Sequence, residues 1–293
     1  MGTLQVLDSH VHVWELSRRP QLWIDPRTMP VLHRDHALRD LQAELATNGI
    51  DGAVLVQVLN DAGETDDYLW AGTASAVRGV VGWVDLLAPD VADQVDALLA
   101  HQSGTLLVGI RHQALAEPDP AAWLSEVADG AGFSVLADRG LAFDLMFRPG
   151  HLCVVRDVVR RHEEASFVLD HAGKAPVLSG WSSEESQAWA HSISELALLD
   201  NLVCKLSGLA TMADLEHWAV DDLRPYVEHL LTHFGPERLM FGSDWPVSLR
   251  AAGYSRTLEA ARQLMEGLSL AEQQHVFAGT AARTYRLARV PVS

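Results

Sequence analysis

The sequence predicts an α/β protein, a single (β/α)8 barrel. Three observations carry that expectation. Eight short β-branched or apolar runs alternate with longer segments of helical periodicity, which implies parallel pairing through βαβ units. The first run leads into His-Val-His-Val-Trp-Glu and not into a glycine-rich phosphate loop, which argues against an open doubly wound sheet. The reactive residues fall at the C-terminal ends of the runs, the face on which a barrel carries its chemistry. A chain of 293 residues fits one barrel of ~250 residues with additions, so one domain over 1–293 is expected. At 48% apolar and 21% charged residues, it has material for a sizeable core.

The eight runs are 5–13, 53–59, 80–86, 106–113, 141–148, 166–171, 202–209 and 239–245. Helices are expected over 38–48, 91–100, 120–139, 152–162, 184–199, 222–234 and 254–267, with stops at Asn48-Gly49 and Arg139-Gly140. The first run carries Asp8, His10 and His12, then Trp14. Residues two apart on a strand share a face, so His10 and His12 can grip one cation. His33 and His36 read as surface or lid residues in the loop that follows.

The third run ends in Trp83 and Asp85, and the fourth in Arg111-His112. Alternation lets only one of that last pair face inward, and either suits a substrate carboxylate or carbonyl. Arg148 closes the fifth run. His171 closes the sixth, with Lys174 just beyond. An inward His171 sends Asp170 toward the helix layer. Lys205, inside the seventh run, needs an anionic partner, either the substrate or a structural carboxylate such as Asp85. The eighth ends in Ser243-Asp244-Trp245. A carboxylate there must be paired or put to use, so Asp244 is a candidate metal ligand, general base on water, or both. Trp14, Trp83 and Trp245 stand at strand mouths as candidate aromatic walls for substrate.

The net charge of −17 sets the chain against phosphate backbones, so no nucleic-acid partner is expected. No apolar stretch is long enough for a membrane span, and the leading MGTLQVLDSHVHVW reads as a strand. Two cysteines in apolar settings, Cys153 and Cys204, without a CxxC pair, suit a reducing, cytoplasmic setting. A homo-oligomer is compatible with all of this. Of the 22 basic residues, 20 are arginine; Lys174 and Lys205 are the two lysines.

Taken together, the stretches DSHVHVW, DGAVLVQ, VVGWVDL, GIRHQ, AFDLMFRP, FVLDHAGKAP, CKLSGL, LMFGSDWPV and FAGTAARTY resemble the amidohydrolase superfamily, and most closely its lactonase group. The resemblance runs from Asp8 to Tyr285. It implies hydrolysis of a small lactone, from a sugar or from aromatic catabolism, by water attack on the ester carbonyl. It also implies that His10, His12, His171 and Asp244 are the metal-binding positions, with Asp244 and His171 catalytic. Members of the group are known with one divalent metal, often zinc, and without any. No second histidine strand and no bridging lysine at the fourth run are present, so one metal is implied and not two. The substrate would meet Arg111, His112, Arg148, Lys174 or Lys205. A second chemistry on the same scaffold is zinc-dependent, non-oxidative decarboxylation of a small aromatic acid. A non-catalytic binding barrel is the third reading, and the convergence of reactive residues on one rim speaks against it.

Overall fold

The computed structural model describes residues 4–74 and 76–287. Eight parallel strands pair in chain order: β1 (Leu7–Val11), β2 (Gly52–Val56), β3 (Val77–Gly82), β4 (Leu107–Arg111), β5 (Ala142–Leu145), β6 (Ser166–Leu169), β7 (Leu202–Leu206) and β8 (Leu239–Phe241). The sheet closes on itself where His12 N donates to Trp245 O at 2.7 Å and Asp244 N donates to His10 O at 2.9 Å. This is the (β/α)8 barrel the alternation predicts. The strands are shorter than the runs because each run continues into the loop at its C-terminal end.

The helices are α1 (Leu38–Asn48), α2 (Ala62–Ala71), α3 (Val91–Leu99), α4 (Pro120–Asp129), α5 (Gly132–Asp138), α6 (Leu152–Arg161), α7 (Glu184–Leu196), α8 (Val220–Phe234), α9 (Tyr254–Leu264), α10 (Leu270–Gln274) and α11 (Thr280–Thr284). The single helix expected over 120–139 is two, because Gly130 leaves helical geometry and separates α4 from α5. Helix α2 lies in an acid-rich segment where apolar periodicity is weak. Its start is fixed by Asp61, whose side chain accepts from Glu64 N. No helix of the described residues is long and apolar enough to cross a membrane.

Two apolar shells flank the sheet. One packs the helices onto the outer faces of the strands. The other fills the bottom of the barrel with Leu7, Val54, Val56, Val81, Val168 and Met240, capped from below by Ala281 and Tyr285 of the C-terminal segment. Polar residues therefore occupy only the upper part of the interior. A register shift between Asp8 and Val11 resets the alternation of β1. Leu7 faces the barrel bottom, and after the shift His10 and His12 face the mouth.

Candidate active site

Strand β1 delivers two imidazoles to one point. His10 Nε2 and His12 Nε2 stand 3.1 Å apart, and both residues are buried. His12 Nδ1 donates to Val56 O at 2.6 Å, which leaves the His12 Nε2 lone pair facing His10. Asp244 completes a triangle, its Oδ1 lying 3.5 Å from His12 Nε2 and 3.8 Å from His10 Nε2. Asp244 sits in the left-handed region at φ 58, which turns its carboxylate over the strand ends. Burial holds both histidines below their ordinary range, His10 furthest because Lys205 adds a positive charge beside it. Burial alone would raise the Asp244 carboxyl. His171 and the hydrogen bond to His12 outweigh it and hold the carboxyl below its usual range.

His171 joins from β6 by a different route. Inward residues of β6 alternate through Val168 to Asp170, so parity alone sends His171 outward. His171, Ala172, Gly173 and Lys174 all have positive φ, at 53, 52, 62 and 55. This turn brings His171 back over the mouth, where Nδ1 lies 2.9 Å from Ser207 Oγ and 4.0 Å from Asp244 Oδ2. The expectation that Asp170 faces the helix layer is therefore corrected: Asp170 and His171 both point inward. Burial pushes the His171 imidazole down to about 4. Gly208 makes room for the arrangement. It has φ +65, and a Cβ there would sit 3.0 Å from His171 Nδ1 and 3.2 Å from Asp244 Oδ2.

Below this layer lies a buried ion cluster. Lys205 Nζ is 2.5 Å from Asp144 Oδ2, 3.0 Å from Asp170 Oδ1 and 3.1 Å from His10 Nδ1. Arg111 donates to Asp170 Oδ2 at 2.9 Å and to Gln57 O. Tyr285, rising from the barrel bottom, donates to Asp144 at 2.8 Å. The structural carboxylates for Lys205 are thus Asp144 and Asp170, not Asp85. Lys205 is fully buried, which corrects its reading as a substrate contact. Sequence reasoning missed Asp144, although a lone acid between Phe143 and Leu145 in an apolar run was the signal for a partner to Lys205. Asp8 is a further buried acid. It accepts from Ser243 N at 2.8 Å and Tyr254 Oη at 2.6 Å, tying β1 to the loop that carries Asp244.

Above the histidines opens a cavity of about 660 Å³. His12, Arg111, His171 and Asp244 reach it from the floor, and Arg148, Lys174 and Arg250 line its walls. The pair Arg111-His112 is resolved by the fold. Arg111 points in, while His112 stacks on Trp123 at 3.9 Å and is held by Glu117 and Trp83 outside the cavity. The three candidate tryptophans are also elsewhere. Trp14 is buried beside His36 and Trp23, Trp83 serves His112, and Trp245 packs edge-on to His36. A strand-mouth position does not specify which way a ring turns. The aromatic wall of the cavity comes from Trp23, in the loop after β1, and His36 is buried instead of lying on a lid.

The donor set fits one divalent ion. Ligands about 2.0–2.1 Å from a tetrahedral ion stand roughly 3.3–3.4 Å apart, close to the 3.1, 3.5 and 3.8 Å edges of the His10–His12–Asp244 triangle. Both imidazoles are neutral, and each is oriented by donating through its Nδ1, His12 to Val56 O and His10 to Asp170 Oδ1 at 3.4 Å. His171 falls in a second cluster with His10 and Asp170, so the four expected ligands form two overlapping sets and not one.

The amidohydrolase family model matches residues 7–287. An L-fucono-1,5-lactonase of Burkholderia multivorans is 37% identical over 295 residues, covering 98% of this chain and 97% of its own. An L-fucono-1,5-lactonase of Burkholderia ambifaria is 35% identical over 291 residues, covering 97% and 96%. The crystal structure of an amidohydrolase from Burkholderia multivorans with bound zinc superposes with a TM-score of 0.89 at 34% identity, over 97% of this chain and all of the other. With its barrel and its histidine-rich mouth, this chain belongs to the amidohydrolase family.

Proposed function

We propose that this protein opens a lactone by hydrolysis, and that its substrate is a six-membered sugar lactone, the ring class to which L-fucono-1,5-lactone belongs. The observation that carries the reading is the Asp244 carboxylate, ionised at neutral pH and set against neutral His10, His12 and His171 on the floor of a cavity large enough for one sugar ring. Two relatives that cover nearly the whole chain, at 37% and 35% identity, are named for that activity.

Asp244 takes the proton of the attacking water, which is general-base work for a carboxylate held in its charged form. His171, fixed by Ser207, hydrogen-bonds the ester carbonyl as it becomes an oxyanion, a contribution of about 3 kcal/mol for a well-placed donor. Arg250, on the loop after Asp244, lines the same cavity and would meet the carboxylate that ring opening creates. Arg111 contributes indirectly, since its charge is committed to Asp170. His10, His12 and Asp244 would hold one divalent ion, zinc in this reading. Bound there, it would polarise the carbonyl and acidify water.

Acid release from L-fucono-1,5-lactone, followed with a pH indicator, tests the reading. Hydrolysis at kcat/KM of ~10⁴ M⁻¹s⁻¹ or more is expected, in the ordinary range of enzymes on their own substrates. Release of carbon dioxide from aromatic acids, with no lactone opened, would replace this reading by the decarboxylase one.

A further inference from the structure

Two cavities meet at Arg148 and Lys174. The active cavity shares both side chains, and Met212, with a neighbouring groove of about 490 Å³ that runs past Pro176 and Trp189. Among the described residues neither cation has a carboxylate partner. The groove's own acid, Glu185, is engaged by Ser179 Oγ at 2.6 Å. Arg148 follows β5, which stands diametrically across the eight-stranded barrel from β1 and its histidines. Arg148 therefore stands across the mouth from His12, with Lys174 beside it on the loop after the neighbouring strand β6.

The backbone shows that Lys174 is held in place. It ends the four-residue run of positive φ that also positions His171, and its N donates to His171 O at 2.8 Å. Side-chain-bearing residues keep such a conformation only where the surroundings impose it, and such sites cluster where ligands are held. In a chain with 20 arginines, one of the two lysines stands here, half-buried and unpaired. Burying an ammonium without a carboxylate beside it is unfavourable. An anion supplied by a ligand removes that cost through charge-assisted hydrogen bonds.

We propose that Arg148 and Lys174 form a subsite for an anionic substituent, so that the preferred substrate is a lactone carrying a carboxylate on its exocyclic carbon, beyond the ring ester. This inference rests on the lactone-hydrolase reading above. It names the substrate class within it, and the groove beyond the two cations accommodates the substituent.

The test uses 1,5-lactones of one ring stereochemistry that differ only in the exocyclic group: methyl, hydroxymethyl or carboxylate. The wild-type enzyme is expected to show kcat/KM at least about tenfold higher for the carboxylate member than for the methyl member, with the ratio shrinking as salt is raised. Lys174→Gln and Arg148→Gln are each expected to lower that ratio about fivefold or more. Arg148 is exposed, so its variant keeps the test valid should Lys174→Gln fold poorly. A wild-type ratio at or below one overturns the subsite and leaves the hydrolase reading standing. A ratio that neither substitution changes also overturns it. Failure to open any of the three lactones overturns the hydrolase reading and the subsite together.

Discussion

The Nε2 atoms of His10 and His12 face each other at 3.1 Å, and the His12 tautomer is fixed by its Nδ1 donating to Val56 O. Two ring nitrogens that close need a proton or a cation between them. With Asp244 Oδ1 beside both, the structure offers a three-donor seat for a divalent ion. After loading with zinc and removal of free metal, wild-type protein is expected to retain about one ion per chain. His10→Ala combined with His12→Ala is expected to retain only a small fraction, measured by elemental analysis. Equal retention by both proteins would place the ligands elsewhere.

Lys205 and its aspartates make a second prediction. Its Nζ holds Asp144 and Asp170 in a buried site. Lys205→Met leaves Asp144 buried without a cation and Asp170 with Arg111 alone, a loss of about 3–5 kcal/mol. Thermal unfolding is expected to drop by several degrees, and activity to fall with it because His10 loses a neighbour at 3.1 Å. Adding Asp144→Asn is expected to recover part of the stability. A wild-type melting temperature in Lys205→Met would contradict the buried pair.

Acid should unfold the protein early. Folded His10, His12 and His171 are held below the ordinary histidine value of 6.5, the last to about 4. In the unfolded chain these rings take up protons near 6.5, while the folded state refuses them. Their contribution to stability is therefore present above about pH 6.5 and is lost as pH falls toward 4, by up to about 1.4 kcal/mol per pH unit for each ring. Denaturant midpoints between pH 7.5 and 5 measure this. The buried acids Glu64 and Asp144, raised to about 7 and about 6, act in the opposite sense, so the ring's share is read from His171→Gln; a pH dependence identical to wild type in that variant would contradict a neutral His171 in the fold.

Gly208 is the tightest steric constraint at the mouth. Alanine there meets both a left-handed backbone and contacts of 3.0 and 3.2 Å to His171 and Asp244. Gly208→Ala is expected to cost about 1 kcal/mol in stability and roughly tenfold or more in kcat, because it displaces two groups of the site together. Unaltered kcat would show that His171 and Asp244 tolerate displacement.

Much of this architecture is legible in the sequence, for reasons that can be traced to individual residues. The barrel follows from strand–helix alternation. His10 and His12 show their shared face through spacing, and Lys205 announces a buried partner because a charge inside an apolar strand needs one. Strict alternation sends Asp170 outward if His171 faces in, because it assumes a regular strand, and the positive φ at His171 breaks it. The sequence does not specify which carboxylate meets Lys205, because that depends on strand register, which pairs β7 with β6 and β8 and leaves β5 one strand further on. The tryptophans misled because indoles at strand mouths also pack between layers. Trp23 lay in a loop with no periodic signal at all.

The most direct test of the account is the turnover of Asp244→Asn on a lactone that the wild type opens. The amide keeps the shape of the side chain and cannot accept the proton of water. With a folded protein shown by an unchanged circular-dichroism spectrum, kcat is expected to fall by about 10²–10⁴-fold. A variant that keeps more than half of the wild-type kcat would contradict the assignment of Asp244 as the base, and with it the mechanism built on this site.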